Sequence, residues 1–296
     1  MRRLLTAIGL GLVLWQGIAG AADPRPIRVM SFNIRYGTAN DGDDHWTKRR
    51  EFLFDTIRAF DPDLLGTQET QSSQRDELQA AFESHAAIGV GRDDGRESGE
   101  MTAVLIRNER FEPIEQGHFW LSETPDVPGS RSWDAAITRM VTWVRLRDRG
   151  GDNGELWLFN THFDHIGVEA RANSAALLRR EVARRVGGRP AIITGDFNQG
   201  EGSRPYEALF GPREDGLTLI DVYRAAHPDR RPDEGTFNGF RPDAVRGDRI
   251  DWIACTPHFR VVSCEIDRTM KDGRVPSDHF PVNAVLELVP MEAAAE

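Results

Sequence analysis

Ser277-Asp278-His279-Phe280-Pro281-Val282 sets a carboxylate and an imidazole on adjacent residues at the entrance to an apolar strand, near the end of a 296-residue chain. A metal ligand beside a proton-transfer group suits phosphoester chemistry. Alone, such a pair is an ordinary surface dipeptide. Three other strand ends carry matching groups: Asn33 in Ser31-Phe32-Asn33-Ile34, Glu69 in Gly66-Thr67-Gln68-Glu69, and Asp196 with Asn198 in Ile193-Thr194-Gly195-Asp196-Phe197-Asn198. Strand termini are where open α/β sheets build their sites, so the four segments together read as one hydrolytic site on an α/β scaffold.

Outward from these segments, strand-like and helical runs alternate along the chain, the pattern of a layered α/β protein. Ile27 to Ile34 is a near-continuous apolar run, expected of a strand buried on both faces. Phe52, Leu53, Thr56, Ile57 and Phe60 recur at helical spacing within Trp46 to Phe60, which Asp61-Pro62 stops. Leu64 to Gln68 then delivers Glu69 to a loop. Thr102 to Arg107, Arg139 to Leu146 and Leu156 to Thr161 read as successive strands, the last two joined by a hairpin turn at Arg149-Gly150-Gly151-Asp152-Asn153-Gly154. Val168 to Val186 is the clearest helix, closed by Gly187-Gly188. Ala191 to Thr194, Arg249 to Ala254, Phe259 to Ile266 and Pro281 to Leu288 complete the strands.

Residues 1 to 21 stand apart. Arg2-Arg3, the apolar run Leu4 to Trp15 and the small-x-small ending Ala19-Gly20-Ala21 have the layout of a secretory signal peptide. We expect residues 1–21 to be removed and residues 22–296 to form one domain, secreted or periplasmic; an uncleaved anchor is the alternative. No later stretch approaches the roughly 20 apolar residues of a membrane span, so no stable membrane insertion is expected. The remaining chain is long enough for one large core, without repeats or a linker, and a monomer is expected. Formal charge is −10, and the only lysines are Lys48 and Lys271. Sequence-blind grip on long polynucleotides is phosphate neutralisation by clustered Lys and Arg, so tight duplex DNA binding is not expected. Cys255 and Cys264 flank an expected hairpin around Thr256-Pro257-His258, either as a bridge or as two small buried side chains.

Asn33, Glu69 and Asp278 offer oxygen ligands alone, an inventory that suits Mg²⁺, or Mn²⁺, over zinc. Taken singly, Glu69 also reads as a helix-capping carboxylate before Ser72-Ser73 and Asn33 as a turn residue; jointly those readings lose ground. Gly195 allows a close turn, and the two-residue spacing points Asp196 and Asn198 to one side. There one can position or deprotonate water and the other can donate to a phosphate oxygen; a plain Asx turn is the alternative. His162, in Asn160-Thr161-His162-Phe163-Asp164-His165, could stabilise developing charge or protonate the leaving oxygen, or be a satisfied structural histidine. Asp251, in Asp248-Arg249-Ile250-Asp251-Trp252, lies inside a strand where a charge needs a partner, and His279 is an imidazole that would compensate it.

Asn33, Glu69, His162, Asp196, Asn198, Asp251, Asp278 and His279, in this order and in these contexts, resemble the endonuclease/exonuclease/phosphatase superfamily, the DNase I-like fold, from residue 27 to 288. The resemblance implies a four-layered α/β sandwich with two packed mixed β-sheets and the site at one edge. It also implies roles: Glu69, assisted by Asn33 and Asp278, on the metal; Asp196 and Asn198 at the water and phosphate; His279, oriented by Asp251, and His162 at the scissile phosphate. Whether the aspartate or the histidine takes the water's proton stays open.

Trp133-Asp134-Ala135, Arg139-Met140-Val141-Thr142-Trp143 and His162-x-Asp164-His165 are similar to exported bacterial members and, more distantly, to carbon-catabolite-repressor type 3′-5′ exonucleases. Arg35, Trp133, Arg139, Asp164 and Phe240 are the expected substrate contacts, with Tyr36, Trp46 and Trp120 as further rim candidates. An aromatic rim could stack a base or pack a sugar or lipid headgroup. The expectation is an exported, Mg²⁺-dependent phosphoester hydrolase using in-line water attack, a phosphodiesterase or nuclease acting on nucleotides or short oligonucleotides. A small-molecule phosphatase or phospholipid phosphodiesterase is the alternative, and a catalytically silent binding module the remote one.

Overall fold

The run Ile27-Arg28-Val29-Met30-Ser31-Phe32-Asn33 forms β1 (Ile27–Asn33), buried at every position but Arg28. A strand reads this way when layers cover both of its faces. In the computed structural model, which describes residues 25–150, 154–212 and 215–289, β1 lies inside a six-stranded sheet. The order is β11 (Phe259–Ile266), β12 (Val282–Leu288), β1, β2 (Leu64–Gln68), β4 (Val104–Arg107), β3 (His85–Ile88). A second six-stranded sheet runs β5 (Phe111–Trp120), β6 (Met140–Asp148), β7 (Glu155–His162), β8 (Ala191–Asp196), β10 (Asp251–Cys255), β9 (Ile220–Asp221). The expected signal peptide, residues 1–21, lies outside the described residues, as do 151–153 at the tip of the expected turn between β6 and β7.

Both sheets follow one plan. Each has a single parallel pair, β1 with β2 and β7 with β8, and antiparallel neighbours everywhere else. A parallel pair needs a crossover; α1 (Trp46–Phe60) supplies it in the first sheet and α3 (Val168–Val186) in the second. The molecule is therefore two βαβ units, each extended by antiparallel strands, packed face to face.

Side-chain alternation sorts the core into three slabs. Ile27 and Val29 point between the sheets, with Leu64, Val144, Leu158, Ile192, Ile253 and Leu286. Met30 and Phe32 point outward, against Leu53 and Ile57 of α1 and Leu78 of α2 (Ser72–Ala81). Phe159, Ile193 and Trp252 pack against Leu178 and Val182 of α3 and Leu209 of α4 (Arg204–Phe210). Helix, sheet, sheet and helix make the expected four-layered α/β sandwich.

Near one end the slab between the sheets turns polar. Asn160 of β7 donates from Nδ2 across to the carbonyls of Thr67 and Ala103, both at 2.8 Å. Its Oδ1 accepts from Gln68 Nε2 at 2.8 Å and from Thr194 Oγ1 at 3.0 Å. Gly66 lies against this seam, and a Cβ there would stand 2.1 Å from Thr194 Oγ1. The seam fixes one sheet on the other just beneath the strand ends that carry the polar residues.

Two expectations need correction. Cys255 and Cys264 do not flank a hairpin: β10 and β11 belong to different sheets, and the chain crosses between them at Thr256-Pro257-His258. Both thiols are free, buried among the apolar side chains between the sheets. Three edge strands also add to those expected: β3, β9 and β5, the last with Pro113 and Gly117 in it and a bulge between Pro113 and Glu115.

Candidate active site

The first sheet contributes the ends of its parallel pair. Asn33 closes β1 on the face shared with Val29, and Glu69 follows β2 in the left-handed region at φ 60°. That conformation costs a non-glycine residue on the order of 1 kcal/mol, and bonds hold it in place. Asn33 Nδ2 donates to Glu69 Oε1 at 3.1 Å and the Tyr36 amide donates to Oε2 at 3.2 Å. Arg35, also left-handed, donates its amide to Asn33 Oδ1 at 3.0 Å. Asp278 arrives from the segment before β12, anchored because the Ser277 hydroxyl donates to the Asn33 carbonyl at 2.7 Å and the Asn238 amide donates to the Asp278 carbonyl at 2.7 Å. The Arg35 guanidinium grips Asp41 at 3.0 Å and lies 3.9 Å from Glu69 and 3.8 Å from Asp278.

The second sheet contributes a row. Register puts His162 of β7 beside Asp196 of β8, and Asp196 beside Asp251 of β10. His279 bridges the sheets: its Nδ1 lies 2.8 Å from Asp251 Oδ2 and its Nε2 3.7 Å from Asp196 Oδ2. Asp196 Oδ2 accepts from Asn33 Nδ2 at 3.0 Å and faces His162 Nε2 at 3.3 Å. Asn198 reaches this group by a route other than strand alternation. β8 ends at Asp196, the Asn198 amide donates to Asp196 Oδ1 at 2.9 Å in an Asx turn, and Asn198 takes a left-handed φ of 51°. The Asx turn and the site are thus the same feature. Asn198 Nδ2 then lies 3.0 Å from His162 Nε2 and donates to the Phe163 carbonyl at 3.0 Å.

Burial and neighbouring charge set the protonation pattern. Burial, then the Asp251 carboxylate, push the Asp196 carboxyl up to about 7. Burial also lowers His162 well below an ordinary histidine, with Arg139 adding to it; a neutral imidazole can accept from Asn198 Nδ2. Burial works the same way on His279, but the carboxylates of Asp251 and Asp196 overcome it and hold the imidazole well above its usual value. Asp278 is raised by burial and by Glu69, against the pull of His279.

Glu69, His162, Asp196, Asn198, Asp278 and His279 line one cavity of about 530 Å³, with Asn33 and Asp251 fully buried beside them. Of the substrate contacts expected from sequence, Arg35 and Arg139 line it, and Trp133, Asp164 and Phe240 do not. Trp133 packs against the apolar layer under α3. Phe240 lies against the Arg49 guanidinium at 5.4 Å. Asp164 is a clamp: its oxygens accept from the amides of Ala136 and Ile137 on one side and Ile166 and Gly167 on the other, at 2.6–3.1 Å, holding the segment that leads into Arg139. Trp46 and Trp120 are also buried away from the cavity, their indoles donating to Glu77 and to the Arg92 carbonyl. Glu100, His165 and Phe237 line it without having been singled out as site residues. Phe237 is 50% exposed, its ring edge-on to His279 at 5.1 Å. It lies in a loop whose sequence has no periodicity, and only its bridge to His279 brings it there.

Among the described residues of this site, two groups of side chains could hold a cation. Asn33, Glu69 and Asp278 are hard oxygen donors, and Asp278 is a buried carboxyl beside a second carboxylate with one shared guanidinium between them. That excess of negative charge in an all-oxygen set fits a divalent hard cation. Asp196, Asp251 and His279 also present ligand atoms within 4.8 Å of one another. There the 2.8 Å contact between His279 and Asp251 engages two of the three ligands, so a cation would have to break a buried ion pair.

Comparison with known proteins agrees with this geometry. The signature of the Endonuclease/Exonuclease/phosphatase family matches residues 30–279. An endonuclease/exonuclease/phosphatase family protein from Bacteroides thetaiotaomicron superposes with a TM-score of 0.81 at 36% identity, over 90% of this chain and 98% of that one. A mannosyl-6-phosphatase of the same organism gives 0.80 at 36% identity, over 88% and 99%. The catalytic domain of human Nocturnin, at 0.72 and 18% identity over 90% and 96%, shares the fold.

Proposed function

The chain belongs to the endonuclease/exonuclease/phosphatase family, whose members are metal-dependent phosphoester hydrolases, and from that premise we propose that it is an exported phosphomonoesterase acting on small phosphorylated molecules such as sugar phosphates. The observation that carries the reading is the 530 Å³ cavity into which the reactive groups converge. Its volume is that of a small-ligand site, in the range of roughly 300–1,000 Å³, and Trp133 and Phe240 do not supply the stacking rim that an oligonucleotide would use. Likeness to a mannosyl-6-phosphatase along nearly the whole of both chains supports the same substrate class. The net charge of −10 goes with weak binding to duplex DNA, and residues 1–21 support export.

Glu69 and Asp278, with Asn33 orienting Glu69, would hold the divalent cation, Mg²⁺ being the best match to oxygen ligands. Bound there, it would supply charge neutralisation to the phosphoryl oxygens. The remaining work falls to the chain's own groups. Asp196, poised near neutrality and held by Asn33 and by the Asn198 amide, takes the proton of the attacking water. His279, kept cationic by Asp251, faces the phosphoryl group as a charge-stabilising donor. Asn198 fixes the His162 ring on the other flank. Tyr36 and Phe237 at the cavity wall favour a second reading, a diesterase that stacks one base.

Turnover of p-nitrophenyl phosphate, hexose 6-phosphates, bis-p-nitrophenyl phosphate and short oligonucleotides, with Mg²⁺, Mn²⁺ or EDTA, tests both. We expect monoesters to be hydrolysed fastest, EDTA to abolish turnover, and Glu69→Ala to lose activity with metal response. Faster cleavage of diesters would favour the second reading, and EDTA-resistant turnover would overturn the ligand assignment.

A further inference from the structure

Arg139 precedes β6 and is 6% exposed, yet it forms the wall of the cavity beside Ile137, His162 and His165. Its neighbours differ from it in one respect. Arg35 is bound to Asp41 through two nitrogens and Arg92 is bound to Glu100 through two nitrogens. Arg139 makes no ion pair within 4.0 Å among the described residues, and its Nε and Nη1 have no hydrogen-bond partner. Nη2 lies 3.4 Å from His165 Nδ1. A buried guanidinium without a partner is costly. Burial lowers it to about 10, with Arg92 adding to the effect and Glu100, Asp196 and Glu69 opposing it, so it stays charged near neutral pH.

A planar fork of donors held without an acceptor is matched to two phosphoryl oxygens. We propose that Arg139 is the anion-recognition residue of this cavity and that it selects phosphomonoester dianions over phosphodiester monoanions. The inference rests on the phosphoesterase reading above. Its basis is charge balance. Glu69, Asp196 and Asp278 also line the cavity, and they repel a dianion more than a monoanion, whereas Glu100 is compensated by Arg92. Arg35 and Arg92 are already engaged by carboxylates and His279 by Asp251, which leaves Arg139, among the described cations around the cavity, to offset the second charge of a monoester, present above a pKa of about 6. Asp164 then has a specificity role at one remove, because its clamp on Ala136 and Ile137 sets the approach of Arg139.

The test uses Arg139→Met and Arg139→Lys, with kcat/KM measured on p-nitrophenyl phosphate and bis-p-nitrophenyl phosphate and inorganic phosphate binding measured by calorimetry. Arg139→Met should lose about 10²-fold on the monoester, the scale of one charged donor at a developing anion, and less than about 5-fold on the diester. Arg139→Lys should keep part of the monoester rate, since it retains the charge without the fork. Both variants should bind phosphate at least about 10-fold more weakly. Equal losses on the two esters in a protein with wild-type circular dichroism would overturn the proposal. If the Met variant does not fold, unchanged phosphate affinity in the Lys variant would overturn it as well. Failure of the wild type to hydrolyse either ester would refute the functional reading, and phosphate calorimetry would still decide the role of Arg139.

Discussion

Gly66→Ala is the perturbation that asks most of the fold. The added Cβ would lie 2.1 Å from Thr194 Oγ1 and 2.8 Å from Asn160 Oδ1. Neither neighbour yields easily. Thr194 Oγ1 has its one proton shared between Asn160 Oδ1 at 3.0 Å and the Phe159 carbonyl at 3.3 Å, while Asn160 is held by Thr67, Ala103 and Gln68. Either the sheets part or this seam loses bonds. Overpacking costs about 1–3 kcal/mol and each lost bond about 1 kcal/mol, so we expect about 3 kcal/mol in all. At roughly 2–4 °C per kcal/mol for a chain of this size, thermal unfolding followed by circular dichroism should drop by about 6–12 °C. Because Glu69 lies three residues on, and His162 and Asp196 end the facing strands, kcat should fall by about 10-fold or more. Thr194→Ala removes the closest clash, and the double variant should recover about 1 kcal/mol over Gly66→Ala alone. An unfolding temperature within about 1 °C of wild type, or losses that simply add in the double variant, would refute the claim that the sheets meet too closely here for a methyl group.

His279→Ala should lower kcat by about 10²-fold, and adding Asp251→Asn should cost little more, because the two form one ion pair; additive losses would mean that Asp251 acts elsewhere. Asp196 acts deprotonated and its carboxyl is pushed up to about 7, so kcat should climb as pH rises through that value and level above it; a flat profile from about pH 5.5 to 8 refutes its role as base. His118, whose Nδ1 lies 3.1 Å from the Thr142 hydroxyl, is driven down to about 4 by burial. A histidine with a lowered folded value contributes nothing above its ordinary pKa and loses stability as pH falls through the window from about 6.5 to 4. Unfolding free energies from urea titrations at pH 7 and 4.5 should therefore converge by up to about 2 kcal/mol in His118→Gln relative to wild type. No change would show that His118 titrates normally in the fold.

The reactive set was legible because its chemistry is tied to strand ends. Asn33, Glu69, His162, Asp196, Asp251, Asp278 and His279 each lie at or beside a strand terminus, and local sequence marks such places with apolar runs and glycine. The helices α1 and α3 read clearly for a similar reason, being long and periodic. The cavity wall was less legible. A tryptophan looks the same in sequence whether it faces a ligand or a helix, and Trp133 proved to face the layer under α3. Phe237 and Glu100 lie in loops, where position is set by side-chain and bridge contacts, with His279 for one and Arg92 for the other, that no periodicity announces. β5 is hidden in the sequence because its middle, Glu112 to Gln116, faces outward and carries a proline, so alternation fails. The crossing at Pro257 looked like a hairpin because sequence shows that a strand turns, not which sheet receives the next one.

The matched plan of the two sheets divides labour. Asn33 and Glu69, at the ends of β1 and β2, answer to the first sheet, and His162 and Asp196, at the ends of β7 and β8, answer to the second. Substitutions in one βαβ unit can adjust the grip on a cation, and those in the other the handling of a proton. The two tasks meet at Asn33, which donates to both Glu69 and Asp196, and at His279, which spans the sheets, so a change at either residue alters both while Asn160 and Gly66 keep the halves in step.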